Sequence, residues 1–280
     1  MRNIRKCTSG NLDTGVSKCP LNLANVVGAI LAEPGTYFPA NATASSIEEA
    51  CHADRPERLM PIMLFVEYAK DGGEPNVSAV GYGGNQVTNV GARTDTFTLD
   101  KCYTDLAAQL SKCMNKKFEV FYFDENNVVY GLQDGDNLRG FPITTLYPTV
   151  TPHPTSSNPA TLTVSFAFEN ARDAIENFDF IELGDEFELK NALVGLTSVQ
   201  LVNDGSNNYM IVEKQGGYNL TSKFGSTIAT APTSVLNNIT AATYDSETES
   251  LTLEIVSGKT PSLKAPSALY TAGIKGIVAS

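Results

Sequence analysis

Several residue types that commonly build active sites are scarce in this 280-residue sequence. It contains no tryptophan, the side chain that most often stacks against sugar rings in glycoside-hydrolase subsites. It has two histidines, His52 and His153, and neither lies beside a GxSxG element or another recognisable nucleophile. Phosphate-binding loops of the GxxxxGK[ST] or GxGxxG type are also missing. The sequence therefore predicts a protein that is not an enzyme.

Cysteine is too sparse to indicate a metal site or a disulfide framework. The five cysteines are Cys7, Cys19, Cys51, Cys102 and Cys113. The first three, together with His52, amount to four ligands, but their spacing contains no CxxC or HxxxH pair of the kind that zinc sites use. An odd number of cysteines in a long chain is typical of thiols kept reduced in a cytoplasm. We expect no metal and no cofactor.

Basic residues and long apolar runs are scarce as well. The chain has 20 Lys and Arg against 31 Asp and Glu, a formal net charge of −11, so it lacks the clustered cations that bind phosphate backbones. Its most hydrophobic run, residues 60–66, is too short to cross a bilayer, and we expect no membrane insertion. Residues 197–280 hold six acids and five bases, so the remaining residues carry nearly all of the negative charge.

The sequence is rich in Thr, Asn, Ser, Val, Ala and Gly, a mixture that favours short strands joined by polar turns. We predict a mainly β protein in three parts. Residues 1–58 form an extended N-terminal arm with one short helix near Ser45–Ala50. Residues 59–192 form a β module with one flanking helix. Residues 193–280 have the strand spacing and size of an immunoglobulin-like β-sandwich.

The β module has the most legible pattern. The periodicity predicts a helix over Lys101–Asn115, because Cys102, Leu106, Leu110 and Cys113 share one helical face. The predicted strands of the module are Ile62–Ala69, Val77–Tyr82, Arg93–Leu99, Lys117–Phe123, Val128–Leu132, Arg139–Val150, Ala160–Glu169 and Phe178–Leu183. A hairpin turn is expected at residues 124–127 and a proline-rich tip at Thr151–Pro159.

The order strand, helix and hairpin over residues 93–131, with Phe118-Glu-Val-Phe-Tyr-Phe-Asp124 and Val128-Val-Tyr-Gly131 as the hairpin strands, resembles the core of bacteriophage tail tube proteins. The C-terminal part, with Tyr209-Met-Ile-Val212 and Pro266-Ser-Ala-Leu-Tyr270, resembles immunoglobulin-like domains appended to structural proteins of phages and prophages of Bacteroidetes. The resemblance implies a virion protein, assembled in the host cytoplasm, whose copies form rings, usually hexameric, that stack into a tube.

The resemblance also implies roles for particular residues. Lys117–Leu132 and Arg139–Glu169 would join between subunits as an inner barrel through which DNA passes, while residues 1–58 and the Thr151–Pro159 tip would contact the next ring or other virion proteins. The subunit-interface candidates are Phe118, Val120, Tyr122, Val128, Tyr130, Phe141, Leu162, Val164 and Phe166. The candidates for an acidic lumen that repels DNA are Glu169, Asp173, Glu176, Asp179 and Glu182. Surface acidity that serves only solubility explains the same charge.

Two other functions fit the sequence. One is a different virion component, such as a head–tail ring or a capsid-attached decoration protein. The other is a carbohydrate- or surface-binding adhesin, in which exposed Tyr209, Tyr218 and Tyr270 of the C-terminal part would stack on sugar rings.

Overall fold

A computed structural model describes residues 23–39, 41–79, 81–156, 159–205 and 207–279. The chain divides into two compact units. Unit 1 comprises the described residues of Met1–Thr43 and Ile62–Lys190, and unit 2 comprises those of Ala44–Pro61 and Asn191–Ser280. The first 22 residues of the predicted arm, with Cys7 and Cys19, lie outside the described residues, as do two residues of the proline-rich tip.

Strands dominate both units. The strands are β1 (Val26–Ala32), β2 (Tyr37–Phe38), β3 (Met60–Met63), β4 (Phe65–Gly72), β5 (Pro75–Ala79), β6 (Asn85–Val90), β7 (Arg93–Leu99), β8 (Phe118–Asp124), β9 (Val128–Asp134), β10 (Asn137–Arg139), β11 (Phe141–Thr151), β12 (Thr161–Phe168), β13 (Phe178–Glu182), β14 (Thr197–Gly205), β15 (Asn208–Glu213), β16 (Leu236–Asn237), β17 (Ile239–Asp245), β18 (Ser250–Ile255), β19 (Ser262–Leu263) and β20 (Ile277–Ala279). The helices are α1 (Ala44–His52), α2 (Thr104–Ser111), α3 (Asp173–Glu176), α4 (Leu189–Ala192), α5 (Thr221–Thr230), α6 (Pro232–Val235) and α7 (Pro266–Thr271). The prediction of a mainly β protein is confirmed.

Unit 1 is built on one large antiparallel sheet. Its main path runs β2-β10-β9-β8-β11-β12-β7-β4, and β1, β3 and β13 join it as side branches on β8, β1 and β9. Strands β8 and β9 form the predicted hairpin, and Asn127 at its turn has a positive φ of 59°. Strands β11 and β12 form the longest ladder of the sheet, as predicted for the two segments around the proline-rich tip.

Strand β8 is buried along its whole length and carries core residues on both faces. On one face the ring of Tyr122 lies 5.0 Å from that of Phe97 and 5.5 Å from that of Phe141, measured between centroids. On the opposite face Phe121 lies 5.8 Å from Phe38. Offset and tilted aromatic pairs at such distances add stability beyond the area they bury. The sheet therefore has an apolar layer on each side of its central strand.

The prediction of an extended arm is wrong for residues 26–32. They form β1, which pairs along β8 and is almost entirely buried. A strand covered on both faces is a continuous apolar run without polar alternation, so its sequence lacks the two-residue period that identifies half-exposed strands. Gly28 lies opposite Phe123 in the register, and any side chain there would collide with the phenyl ring.

Several other predicted elements of unit 1 are present with altered bounds. The predicted helix over Lys101–Asn115 is shorter, because α2 ends at Ser111 and the chain continues in turns to Asn115, which has a positive φ of 61°. The strand predicted at Ile62–Ala69 is divided between β3 and β4. The acidic segment after β12 contains the expected short helix and edge strand, α3 and β13.

Unit 2 is a five-stranded sheet in the order β17-β18-β15-β14-β20, packed with helices. Its core includes Val199 and Ile211 from the sheet, Phe224 and Ile228 from α5, and Leu269 from α7. The short strands that the spacing of residues 193–280 indicates are present as β14, β15, β17, β18 and β19. Pairing within the sheet is antiparallel except between β14 and β20.

The predicted immunoglobulin-like sandwich is not confirmed for this unit. Helix α5 and the short α6 pack on β17, where a sandwich has a second sheet, and β14 and β20 are parallel. Helix α5 carries Thr at both ends and Gly225 within it, and these residues weaken the helical signal of the sequence. The C-terminal unit is therefore a sheet with helices, and its core also includes α1 from the segment predicted to be an arm.

His52 joins α1 to the C-terminal part of unit 2. The short helix predicted near Ser45–Ala50 is confirmed as α1, but the imidazole at its end is buried and not solvent-facing. It stacks on Tyr270 at 4.7 Å, its Nδ1 donates to the carbonyl of Glu48 at 2.7 Å, and its Nε2 accepts from the N–H of Gly276 at 2.9 Å. These contacts require the neutral ring with its proton on Nδ1.

We expect His52→Ala to destabilise unit 2 by about 2–3 kcal/mol, because it opens a cavity and leaves a buried backbone N–H without its acceptor. Urea unfolding followed by circular dichroism measures the change. His153→Ala is the matched control, since His153 is exposed in the tip between β11 and β12 and its removal should leave the free energy of unfolding within 0.5 kcal/mol. Equal stability of the two variants would contradict the role assigned to His52.

Candidate subunit interface

The nine predicted interface residues all lie in the interior of unit 1. Each is at most 7% exposed, and Val120, Leu162, Val164 and Phe166 are completely buried. In the single copy these apolar side chains serve the core of the chain itself, and their assignment to a subunit contact stays a prediction.

The five predicted lumen residues lie at the surface. Glu169, Glu176 and Glu182 are exposed, and Asp173 and Asp179 are half-buried. Lys117 pairs with Glu169 at 2.7 Å and Arg172 with Glu176 at 2.6 Å. Their place on a lumen stays a prediction.

The most exposed secondary structure of unit 1 is the hairpin formed by β5 and β6. Residues 74–79 and 81–89 are all exposed, and among the described residues β5 and β6 pair only with each other. Val77 and Val87 are register partners with 55% and 62% of their surface exposed, and Tyr82 near the tip is fully exposed. The free edges of the two strands and their apolar side chains are available to another molecule.

No charged residue protects this hairpin. The 18 residues from Pro75 to Ala92 contain no Asp, Glu, Lys or Arg. Natural sheets usually protect exposed edges with charges or prolines, because an unprotected edge pairs with other chains. Here Pro75, at the first position of β5, is the only proline. The hairpin therefore has strand edges that neither charges nor prolines protect from pairing with another chain.

The base of the hairpin is held by backbone geometry. The ladder of β4 and β7 ends at the pair Gly72 and Arg93, and the N–H of Gly73 donates to the carbonyl of Ala92 at 2.9 Å. Gly72 and Gly73 both have positive φ, of 70° and 81°, and a Cβ on Gly72 would collide with the Ala92 carbonyl. Only glycine fits this crossing from the main sheet into the hairpin.

A buried ion pair anchors the same base. Arg93 bonds both carboxylate oxygens of Asp95, at 2.9 Å and 2.7 Å, and Tyr68 donates to that carboxylate at 3.2 Å. The Asp95 side chain is 1% exposed and that of Arg93 20%. Burial raises the pKa of Tyr68, with a further contribution from the negative charge of Asp95, so the phenol stays protonated and remains a donor.

Features that would support chemistry are weak in the described part of the chain. Within it, no group of three or more His, Cys, Asp or Glu side chains is arranged to hold a metal ion. Burial raises the pKa of Cys51 to about 11, which makes that thiol unreactive. Of the three tyrosines considered for sugar stacking, Tyr209 is in the core of unit 2 and Tyr270 stacks on His52, so Tyr218 alone is well exposed.

The β5–β6 hairpin was not predicted from the sequence. A strand is predicted at Val77–Tyr82 but its partner strand β6 is not, because Gly81-Tyr-Gly-Gly-Asn85 interrupts the strand pattern. The signal that could have found it is a pair of short, charge-free segments, each with valine among polar residues, on the two sides of that glycine-rich turn.

Comparisons with known proteins add no relative. A scan against protein-family models matches none of them, and a search of the curated proteins finds no similar sequence. Within the described residues, no helix is both long enough and apolar enough to span a membrane.

Removing the anchor of the hairpin base should cost much more than removing a surface ion pair. We expect Asp95→Asn to lower the free energy of unfolding by about 3 kcal/mol, because the Arg93 charge is left without its partner in a buried site. Glu169→Gln breaks the exposed pair with Lys117 and should change it by less than 1 kcal/mol. Chemical denaturation of both variants measures the difference, and a comparable loss in the two would contradict the assignment.

Proposed function

We propose that this chain is a non-catalytic structural subunit that assembles with copies of itself, and specifically a tail tube subunit of a bacteriophage virion. The observation that carries the proposal is the exposed, charge-free β5–β6 hairpin. An isolated two-stranded ribbon is marginally stable in water, and its free edges pair readily with other strands. Contact with a neighbouring copy would stabilise the ribbon and would supply hydrogen-bond partners for its free edges. Assembly would in this way complete the fold of the hairpin.

The resemblance of the module to tail tube proteins supports the ring form of this assembly. The elements on which it was based are present in unit 1 in the expected order, as β7, α2, β8 and β9. Their side chains form the core of the single copy, so joining between copies would use backbone edges and the hairpin and not the nine buried residues. Subunits that meet through two different surfaces form closed rings or open filaments.

The acidic surface fits the passage of DNA. The net charge of −11 would repel phosphates at any surface that faces a lumen, so a duplex would pass without binding. Glu169 directly after β12, Glu176 at the end of α3 and Glu182 at the end of β13 are exposed and remain our candidates for that surface.

Negative-stain electron microscopy of the purified protein tests the assembly directly. We expect rings and stacked tubes at micromolar concentration. Rings that never stack would favour a head–tail ring protein, and a monomer at all concentrations would overturn the proposal. Light scattering coupled to size-exclusion chromatography gives the number of copies in each species.

A charge pair on the hairpin should abolish assembly without unfolding the hairpin. Val77 and Val87 face each other across β5 and β6, so Val77→Lys with Val87→Glu replaces an apolar pair by a cross-strand ion pair. We expect this double variant to be a monomer with the wild-type melting temperature, because its exposed apolar surface is lost and desolvating the new charges is unfavourable.

The matched control is Val77→Thr with Val87→Thr, which keeps β-branched, uncharged residues at the same positions and should assemble. Rings of normal size from the charged double variant would show that the hairpin does not carry the assembly.

A further inference from the structure

Unit 1 contains an open cleft of about 610 Å³ that the core does not fill. Seven aromatic side chains line it, namely Phe65, Tyr68, Phe97, Tyr122, Tyr130, Phe141 and Phe178. Its rim includes Glu67 from β4 and residues 23–27 at the start of β1, with Glu125 from the turn after β8. The volume is in the range of ligand pockets and is sufficient for a large side chain and its flanking backbone.

One side of the cleft is formed by β4, which has an edge that is not paired with another described strand. Among the described residues β4 pairs with β7 alone, so its other edge is without a partner strand. Val66 and Leu64, on and just before β4, are 63% and 50% exposed. An aromatic cleft beside a free strand edge is the arrangement that binds an added β-strand, with backbone pairing for affinity and a side-chain pocket for specificity.

The β5–β6 hairpin of the same copy does not fill this cleft. None of its described residues lines the cleft, whereas Arg93, directly after its base, does. The tip lies about eight residues beyond that base, which corresponds to roughly 25 Å in an extended strand. A hydrogen-bonded ribbon of that length cannot return to its own base without breaking its ladder. The tip is therefore available only to another copy.

We propose that the tip of the β5–β6 hairpin of one copy, with Tyr82 as its anchor, inserts into the aromatic cleft of a second copy. This inference rests on the proposed self-assembly and names its contact. Tyr82 is fully exposed, and a tyrosine ring loses little conformational entropy when it is buried. The cleft offers the exposed rings of Tyr68 and Phe178 as partners, over a floor of buried aromatic side chains, and the hairpin enters without desolvating any charge of its own.

The contact joins two different surfaces, so each copy both gives a hairpin and receives one. Such a head-to-tail contact repeats from copy to copy and either closes into a ring or continues as a filament. A two-fold dimer with tip against tip would instead leave the cleft empty, which gives the experiment a clear alternative.

Photo-crosslinking in the full chain tests the contact. The variant Tyr82→benzoylphenylalanine, irradiated at a concentration at which wild-type rings form, should give covalent dimers. We expect peptide mapping to join position 82 to residues 65–68, 93–97 or 122–130. Tyr218→benzoylphenylalanine, at an exposed position in unit 2, is the control and should give no crosslink to those segments.

A substitution supplies the quantitative readout. Tyr82→Ser should weaken self-association at least ten-fold in sedimentation velocity and leave the melting temperature unchanged, since the ring is exposed in the single copy. Tyr218→Ser should change neither. Rings that form while position 82 crosslinks elsewhere, or not at all, would overturn this inference and leave the proposed function standing. A protein that never assembles would overturn both.

Discussion

Every β-strand has backbone N–H and C=O groups along two edges, and where those groups find partners decides the architecture of unit 1. The central strand β8 has β1 on one side and β9 and β11 on the other, which leaves it buried from end to end. Among the described strands of unit 1, β4 and the β5–β6 hairpin have edges without a partner strand, as do the terminal strands β2, β3 and β13. The pairing that builds the core around β8 thus leaves unpaired edges at the periphery of the unit.

Buried carboxylates fix the hairpins of this sheet. Asp124 accepts from the N–H groups of Asn126 and Val128 and from the hydroxyl of Tyr130, and so holds the turn between β8 and β9. Glu119 pairs with Arg139 at 3.1 Å where β10 ends, and burial raises the pKa of its carboxyl although the guanidinium opposes the shift. Together with Asp95 below the β5–β6 hairpin, each carboxylate lies near a chain reversal. Removing any partner would leave a buried polar group unsatisfied, so the register of these hairpins is strongly specified.

Secondary structure was predicted best from the sequence for elements that have one face exposed to solvent. The strands of β7, β11, β12 and β13 alternate or end in turn residues, and the β8–β9 hairpin has a polar four-residue turn, so these elements could be predicted. It failed where burial removes periodicity, as in Val26–Ala32, and where a helix begins without a side-chain cap, as in α5 and α7. His52 shows the same limit for single residues, because its buried role depends on Gly276 and Tyr270, more than 200 positions away.

Apolar residues in the sequence do not by themselves separate a core from an interface, because both classes of surface use the same side chains. The nine side chains predicted to make subunit contacts lie in the core of the single copy, and exposure is the property that separates core residues from surface residues.

Electrostatic repulsion also bears on which surface could meet a second copy. Two copies of a chain with a net charge of −11 repel each other, but at physiological ionic strength this repulsion is screened over about 8 Å. A charge-free ribbon that extends roughly 25 Å from its base spans about three screening lengths. Such a ribbon could reach a second copy while most of the acidic surfaces stay farther apart than the screening length, which is compatible with the proposed assembly of a strongly acidic chain.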